Sequence, residues 1–223
     1  TKGKDAITIR HLFTHTAGIR SADVDARSPA GVVPGGTGYS PFVSPWDERL
    51  ARIVQAEIEP GWVPGRRAGY HPFSGMFLLA EIVQRLDGRP FSRYVREEIF
   101  EPLGMQDCWL GMPGEAFAAY GDRIGVLHLT RPGRQPFPFP RVDTEEGCAA
   151  CVPGGAGRGP MRELGRLYEA MLGKGARDGV RLLDPPAAEA MVARHRAGMH
   201  DQTFGVVIDW GLGFIIDSVN YGR

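Results

Sequence analysis

One long helical stripe constrains this chain more than any other feature. Phe73, Met76, Phe77, Ala80, Val83 and Leu86 share one face of a helix that runs from about Phe73 to Asp87. Gly88 is placed to end it, because glycine enters the left-handed conformation without a Cβ clash. A stripe of that length must be buried against other elements, so the rest of the chain has to supply a partner layer. Residues 9 to 15 read as a first helix with Thr8 as N-cap, followed by a Gly, Pro and Ser-rich loop over 16 to 45. Ser44-Pro45 opens a second helix through Leu50, Ile53, Val54 and Ile58, which Pro60-Gly61 stops. Pro90 opens another with Tyr94, Val95 and Ile99 inward, ending before Pro102. Residues 123 to 130 read as a strand and 132 to 160 as a long loop. Pro160 starts a helix through Leu164, Leu167, Tyr168 and Met171, closed by Gly173, and Asp184-Pro185 caps a short one through Met191. Strands at about 203 to 209 and 211 to 216 finish the chain. Helices first and strands gathering at the end predict an α+β fold rather than alternating β-α-β units.

Composition narrows the function classes. Lys plus Arg and Asp plus Glu are equal at 26 each, which argues against a nucleic-acid partner, since phosphate binding calls for a basic surplus. Apolar residues make up 43%, enough to bury a core. No run approaches the roughly 18 apolar residues of a membrane span. Three cysteines are too few for a disulfide framework and suit a reducing compartment or free thiols. The opening TKGKDAITIRHLFTHT is charged and passes straight into a helical pattern, unlike a secretory leader. The chain stops just after an apolar, strand-like run, so both ends read as cut and the whole of 1–223 as part of one domain.

Several residues invite a chemical reading. His11 and His15 have the spacing of a shared zinc site, but Leu12 stands where a metalloprotease has glutamate, and no third ligand is evident; the structural reading is favoured. Cys148 and Cys151 have redox-motif spacing, yet Val152-Pro153-Gly154-Gly155 delays the next helix, so no helix N-terminus activates a thiol; buried structural cysteines are favoured. Gly154-Gly155-Ala156-Gly157-Arg158-Gly159 precedes a helix but matches neither the dinucleotide nor the P-loop spacing. Tyr70 and His71 follow Pro64-Gly65 at the mouth of the strongest helix. A tyrosine can act as a base only when a neighbouring cation favours its phenolate, because its ordinary pKa is about 10; read alone, a partly buried structural tyrosine is favoured.

Taken in order, these segments resemble the serine β-lactamase-like family of class C β-lactamases, D-alanyl-D-alanine peptidases and related esterases. ITIRHLFTHTAGI at 7 to 19 is similar to that family's "ITIRHLLTHTSGL". Pro64-Gly65, Tyr70 and the helix FSGMFLLAEIVQRLDGRPF are similar to its "PG…Y-S-N…LG" stretch, and Ile99 to Met105 matches "I-F-x-P-L-G-M". Gly154-Gly155 with the following helix, and the later Gly211-Leu212-Gly213-Phe214, resemble its "GG…S-x-x-D-L-A-R-F" and "G-L-G-W" segments. The resemblance spans nearly the whole chain. It implies the helical part of a β-lactamase/transpeptidase-like domain plus the first strands of its antiparallel sheet.

The resemblance also implies an acyl-enzyme mechanism, in which a Ser-x-x-Lys serine attacks and the lysine and Tyr70 move its proton. None of Ser21, Ser28, Ser40, Ser44, Ser74, Ser92 and Ser218 has a lysine three residues on. The expected Ser-x-x-Lys helix would precede Thr1 and the Lys/His-Thr/Ser-Gly strand would follow Arg223, so the 223 residues alone are expected to be inactive. Pro72 replaces the family asparagine, which weakens amide recognition and favours an ester. By the same resemblance His71, Gly154 and Gly155 would contact the substrate, a small ester or amide. Neither a metal nor an organic cofactor follows from it. The alternative is a catalytically silent ligand-binding or sensor protein on the same scaffold.

Overall fold

The computed structural model describes residues 2–22, 44–131, 133–139 and 141–216, so most of the loop expected at 16 to 45 lies outside the described residues. Helix α1 (Ile9–Phe13) starts where expected. The Thr8 hydroxyl accepts from the His11 amide at 3.3 Å, and His11 Nδ1 accepts from the Thr8 amide at 3.2 Å. The histidine thus takes the place that Glu or Gln holds in a reciprocal cap. Helix α2 (Trp46–Gln55) has Pro45 at its N-cap, not Ser44, and no side chain caps it. Helix α3 (Pro72–Asp87) is the long stripe, and Gly88 closes it at φ 88°.

Helices α1, α2 and α3 enclose the first core. Leu12, Ala17, Ile19, Ala22, Ile53 and Phe77 are buried there, with Trp46, Leu50 and Leu78 packed around them. At about 25 cal/mol per Å² of apolar surface removed from water, a large side chain such as Phe77 contributes about 1.5–3 kcal/mol. The stripe on α3 departs from expectation at one end: Leu86 is 85% exposed, because the last turn runs past its partners.

Helix α4 (Phe91–Val95) continues into a π-helical turn, Arg96–Phe100, and α5 follows at Gly114–Tyr120. The stretch expected to be a loop over 132 to 160 contains ordered elements. Strands β1 (His128–Arg131) and β2 (Arg134–Pro138) form an antiparallel hairpin, and α6 (Glu145–Ala149) is capped by the Thr144 hydroxyl. The Pro-rich composition hid β2, since proline is a poor strand signal except on an edge such as this one.

Helix α7 (Met161–Leu172) starts after Pro160 as expected, but with a rotated face. Leu164 and Tyr168, expected inward, are exposed, whereas Glu163 and Ala170 are buried. Polar anchors set this rotation. Glu163 accepts from the Asp107 amide at 2.9 Å, and Arg166 donates to the Gly104 carbonyl. Ala170 then meets Leu103, Met105 and Cys108 in a second core. Strands β3 (Ala176–Arg177) and β4 (Val180–Arg181) and helix α8 (Pro185–Val192) follow.

The two terminal strands expected at 203 to 209 and 211 to 216 are instead shorter pieces. Strand β5 (His200–Asp201) pairs with β6 (Val206–Val207), and β7 (Asp209–Trp210) pairs with β8 (Ile215–Ile216). All the sheet pairs among the described residues are antiparallel and two-stranded. The α+β class holds, with helices ahead of most of the strands.

Candidate active site

The stretch between α2 and α3 carries Tyr70, and backbone bonds lay it along the segment that follows α1. Gly65 N–H donates to the Thr16 carbonyl at 3.1 Å and Gly69 N–H to the His15 carbonyl at 2.9 Å. Gly69 allows the close approach, since a Cβ there would come within 2.6 Å of the Arg20 side chain. On its other side the stretch meets the turn after β5, where Gln202 N–H donates to the Ala68 carbonyl at 2.9 Å.

Tyr70 is therefore held by both ends of its own backbone. Its N–H donates to Asp201 Oδ1 at 3.1 Å, and its carbonyl accepts from the Thr203 hydroxyl at 3.0 Å. The half-buried ring lies among three others. Its centroid is 4.7 Å from His15, 4.9 Å from Phe204 and 5.7 Å from Trp210. A side chain placed by backbone bonds and by rings on several sides loses little further entropy when it acts, which is what an acid/base group requires.

Asp201 organises this arrangement. Besides Tyr70, its Oδ1 accepts from the amides of Thr203 at 2.9 Å and Phe204 at 3.1 Å. Its Oδ2 accepts from Arg196 at 3.1 Å. The two side chains are 0% and 1% exposed, so this is an ion pair in the interior. Such a pair persists only when its remaining donors and acceptors are satisfied. Arg196 meets that condition by donating to the Ile208 carbonyl at 2.9 and 3.2 Å and to the Thr14 carbonyl at 3.0 Å. Burial pulls the Arg196 guanidinium below its ordinary pKa, while Asp201 acts in the opposite sense.

His15 is the third part of the cluster. It sits in the left-handed region at φ 54°, unusual for a residue with a Cβ. Its Nδ1 accepts from the His71 amide at 3.3 Å, so the neutral ring carries its proton on Nε2. Burial, the neighbouring His71 and Arg196 hold its pKa well below 6.5. His71 itself is fully buried, with Nδ1 3.3 Å from the Ser74 hydroxyl. The imidazole expected to touch substrate is thus turned inward, towards α3.

Gly154 packs on the carbonyl of Pro72, the first residue of α3, and a Cβ at Gly154 would overlap that oxygen. The structure thereby brings the expected glycine pair beside the Tyr70-His71 stretch. Gly155 continues into the wall of a cavity of about 650 Å³ between α5, the β1-β2 hairpin, α6 and the start of α7. Met112, Ile124, Val126, Leu127 and Phe139 supply apolar wall, and Arg123, Arg158, Arg162 and Asp107 supply charge. That size suits a small organic ligand.

The other motifs go elsewhere. His11 caps α1 while His15 is buried, and the described residues contain no group of three or more His, Cys, Asp or Glu able to hold a metal ion. Cys148 lies in the second half of α6, where burial pushes its thiol up, and burial pushes Cys151 up to about 11. Arg158 near Cys148 and Arg49 near Cys151 act in the opposite sense, but burial outweighs them, so neither thiol has the lowered pKa of a reactive cysteine. Arg196, Asp201 and Thr203, by contrast, were not singled out by sequence reasoning.

With this geometry in place, comparison with known proteins adds a family. The Beta-lactamase family model matches residues 1–222. The chain belongs to the Beta-lactamase family. Among its relatives, Penicillin-binding protein 4 of Amycolatopsis lactamdurans is 28% identical over 212 residues, covering 94% of this chain and 50% of that protein. Esterase EstB of Burkholderia gladioli is 27% identical over 231 residues, covering 94% of this chain and 53% of that protein. The chain therefore spans about half the length of these curated relatives. Among solved structures, a penicillin-binding protein homologue from Caulobacter crescentus superimposes with a TM-score of 0.74 at 29% identity, covering 99% of this chain and 58% of that one. A family VIII carboxylesterase shares the fold with a TM-score of 0.72 at 23% identity, covering 99% and 58%. The likeness in fold accounts for the α+β layout.

Proposed function

We propose that Tyr70 is the proton-transfer group of a serine hydrolase that cleaves esters or amides through an acyl-enzyme. The nucleophilic serine and its lysine belong to a segment outside these 223 residues, and this chain supplies the tyrosine and much of the pocket wall. The carrying observation is the clamped Tyr70 peptide, bonded at its N–H by Asp201 and at its carbonyl by Thr203. Membership of a family whose relatives include esterases and penicillin-binding proteins supports the reading.

As the serine oxygen attacks the substrate carbonyl, its proton passes to the Tyr70 phenolate. Collapse of the tetrahedral intermediate expels the alkoxide or amine, which takes that proton from Tyr70. Water repeats the sequence on the acyl-enzyme, giving up a proton as it attacks and restoring the serine hydroxyl. The lysine ammonium keeps the phenolate accessible near neutral pH. Pro72 suits the first helical position but carries no side-chain amide, which supports esters over amides as substrates. We assign His71 to holding His15 and α3 in place, and Gly154 and Gly155 to the approach of the substrate wall towards Tyr70.

The test is covalent labelling of the protein at its native length with a fluorophosphonate, followed by peptide mapping. A stoichiometric adduct on a serine outside residues 1–223, with turnover of 4-nitrophenyl butyrate lost in Tyr70→Phe, is the expected result. No adduct and no turnover would leave the silent binding protein as the better reading, and full turnover in Tyr70→Phe would remove the tyrosine from the mechanism.

A further inference from the structure

The cavity beside the Gly154 contact joins two kinds of surface that water alone does not favour together. Its apolar residues are not fully withdrawn: Val126 is 56% exposed and Leu127 54%. Apolar groups left open in a concave wall mark a place for an apolar ligand. Three guanidinium groups line it, of which Arg158 is answered by Asp143 at 3.1 Å. The other two share one carboxylate at long range: Asp107 is 4.0 Å from Arg123 and 3.9 Å from Arg162. That carboxylate also accepts the Tyr120 hydroxyl at 2.7 Å. Glu163 is buried and accepts from the Asp107 amide at 2.9 Å. Arg123 and Arg162 keep side-chain exposures of 70% and 73%, so they hold spare donors at the cavity rim.

We propose that this cavity takes a part of the substrate that is an apolar body ending in a carboxylate. The apolar wall receives the body, and Arg123 with Arg162 receives the anion in a two-pronged guanidinium contact. The geometry of a guanidinium fork matches a carboxylate better than it matches a neutral amide or alcohol. The substrate class is accordingly a half-ester of a dicarboxylic acid, or a related anionic ester. As a statement about turnover this rests on the reading of Tyr70 given above; as a statement about binding it does not. Because both arginines are solvent-exposed, each contact is modest and weakens with salt.

Two measurements separate the two readings. The first is calorimetric binding of 4-phenylbutyrate and of its neutral amide to the wild-type protein, to Tyr70→Phe and to the double variant Arg123→Gln/Arg162→Gln. The expected result is about tenfold tighter binding of the carboxylate in the first two proteins. The double variant is expected to lose that preference while its affinity for the amide stays the same. The second is kcat/KM for mono-4-nitrophenyl glutarate against 4-nitrophenyl butyrate, where the double variant should lose the preference for the glutarate mainly through KM. Equal affinity for both probes, no binding of either, or a preference that survives the double substitution would overturn the proposal and leave the arginines as a solvated rim. Carboxylate-selective binding without turnover of either ester would uphold the cavity and sink the hydrolase reading instead.

Discussion

The Tyr70 cluster and the Arg-rimmed cavity meet through Gly154 and Pro72, yet they are built on opposite plans. Around Tyr70 the polar groups are interior and tightly partnered. Asp201 takes three amides and a guanidinium, and Arg196 is bonded to two backbone carbonyls besides. In the cavity Arg158 is closely paired, but Arg123 and Arg162 are exposed and only loosely paired with Asp107. The first arrangement suits a group whose position must not vary. The second leaves donors free for something that arrives. On the reading proposed above, the proton-transfer group is held rigidly while the surface offered to substrate is left adaptable.

That contrast breaks most sharply at Tyr70 itself. Tyr70→Phe removes one oxygen and leaves the ring packing, so kcat should fall by about 10²- to 10⁴-fold with little change in melting temperature. A comparable loss of stability would mean that the hydroxyl is structural. Asp201→Ala should do the reverse and act on the fold. It leaves the Arg196 charge uncompensated in the interior, and urea denaturation should show a loss of about 3–5 kcal/mol. Replacing Arg196 and Asp201 together by Met and Leu should cost less than removing Asp201 alone, because no buried charge is then stranded. Gly154→Ala tests the seam between the regions. Its methyl overlaps the Pro72 carbonyl, and overpacking of that kind costs about 1–3 kcal/mol.

Acid provides a subtler probe. His15 has its pKa held well below 6.5 in the folded chain, so the unfolded chain binds its proton first as pH falls. Stability from this group is complete above about pH 6.5 and declines below it, by up to about 1.4 kcal/mol per pH unit until the folded pKa is reached. Denaturation measured between pH 7 and 5 should show this slope, and His15→Gln should flatten it. The smallest effect belongs to the cavity rim. Arg123→Gln should change stability by no more than about 0.5 kcal/mol, as expected for an exposed, weakly paired charge.

The same contrast explains which parts of the molecule could be read from sequence. Helix α3 and its glycine stop were legible because an apolar stripe and a left-handed terminus are local signals. Tyr70, Gly154 and Gly155 are site candidates on their segment order alone, and the structure sets Gly154 on the residue that opens α3. Arg196 and Asp201 were not, because a buried ion pair looks like any two surface charges until the chain has folded around it. The face of α7 was misread for a related reason. Its orientation is set by Glu163 on the Asp107 amide and Arg166 on the Gly104 carbonyl, and apolar periodicity carries no information about such anchors. The hairpin inside 132 to 160 was hidden by prolines that an edge strand tolerates.

The bond from the Tyr70 amide to Asp201 spans 131 residues of chain. During synthesis, at about 5–20 residues per second, the tyrosine waits on the order of ten seconds on the ribosome before its partner is made. Over that interval the Tyr70 peptide lacks both Asp201 and Thr203, and an interrupted product would keep the tyrosine but lose the acid that sets its place. Chaperone dependence should therefore be felt while the stretch between Tyr70 and Asp201 is being made.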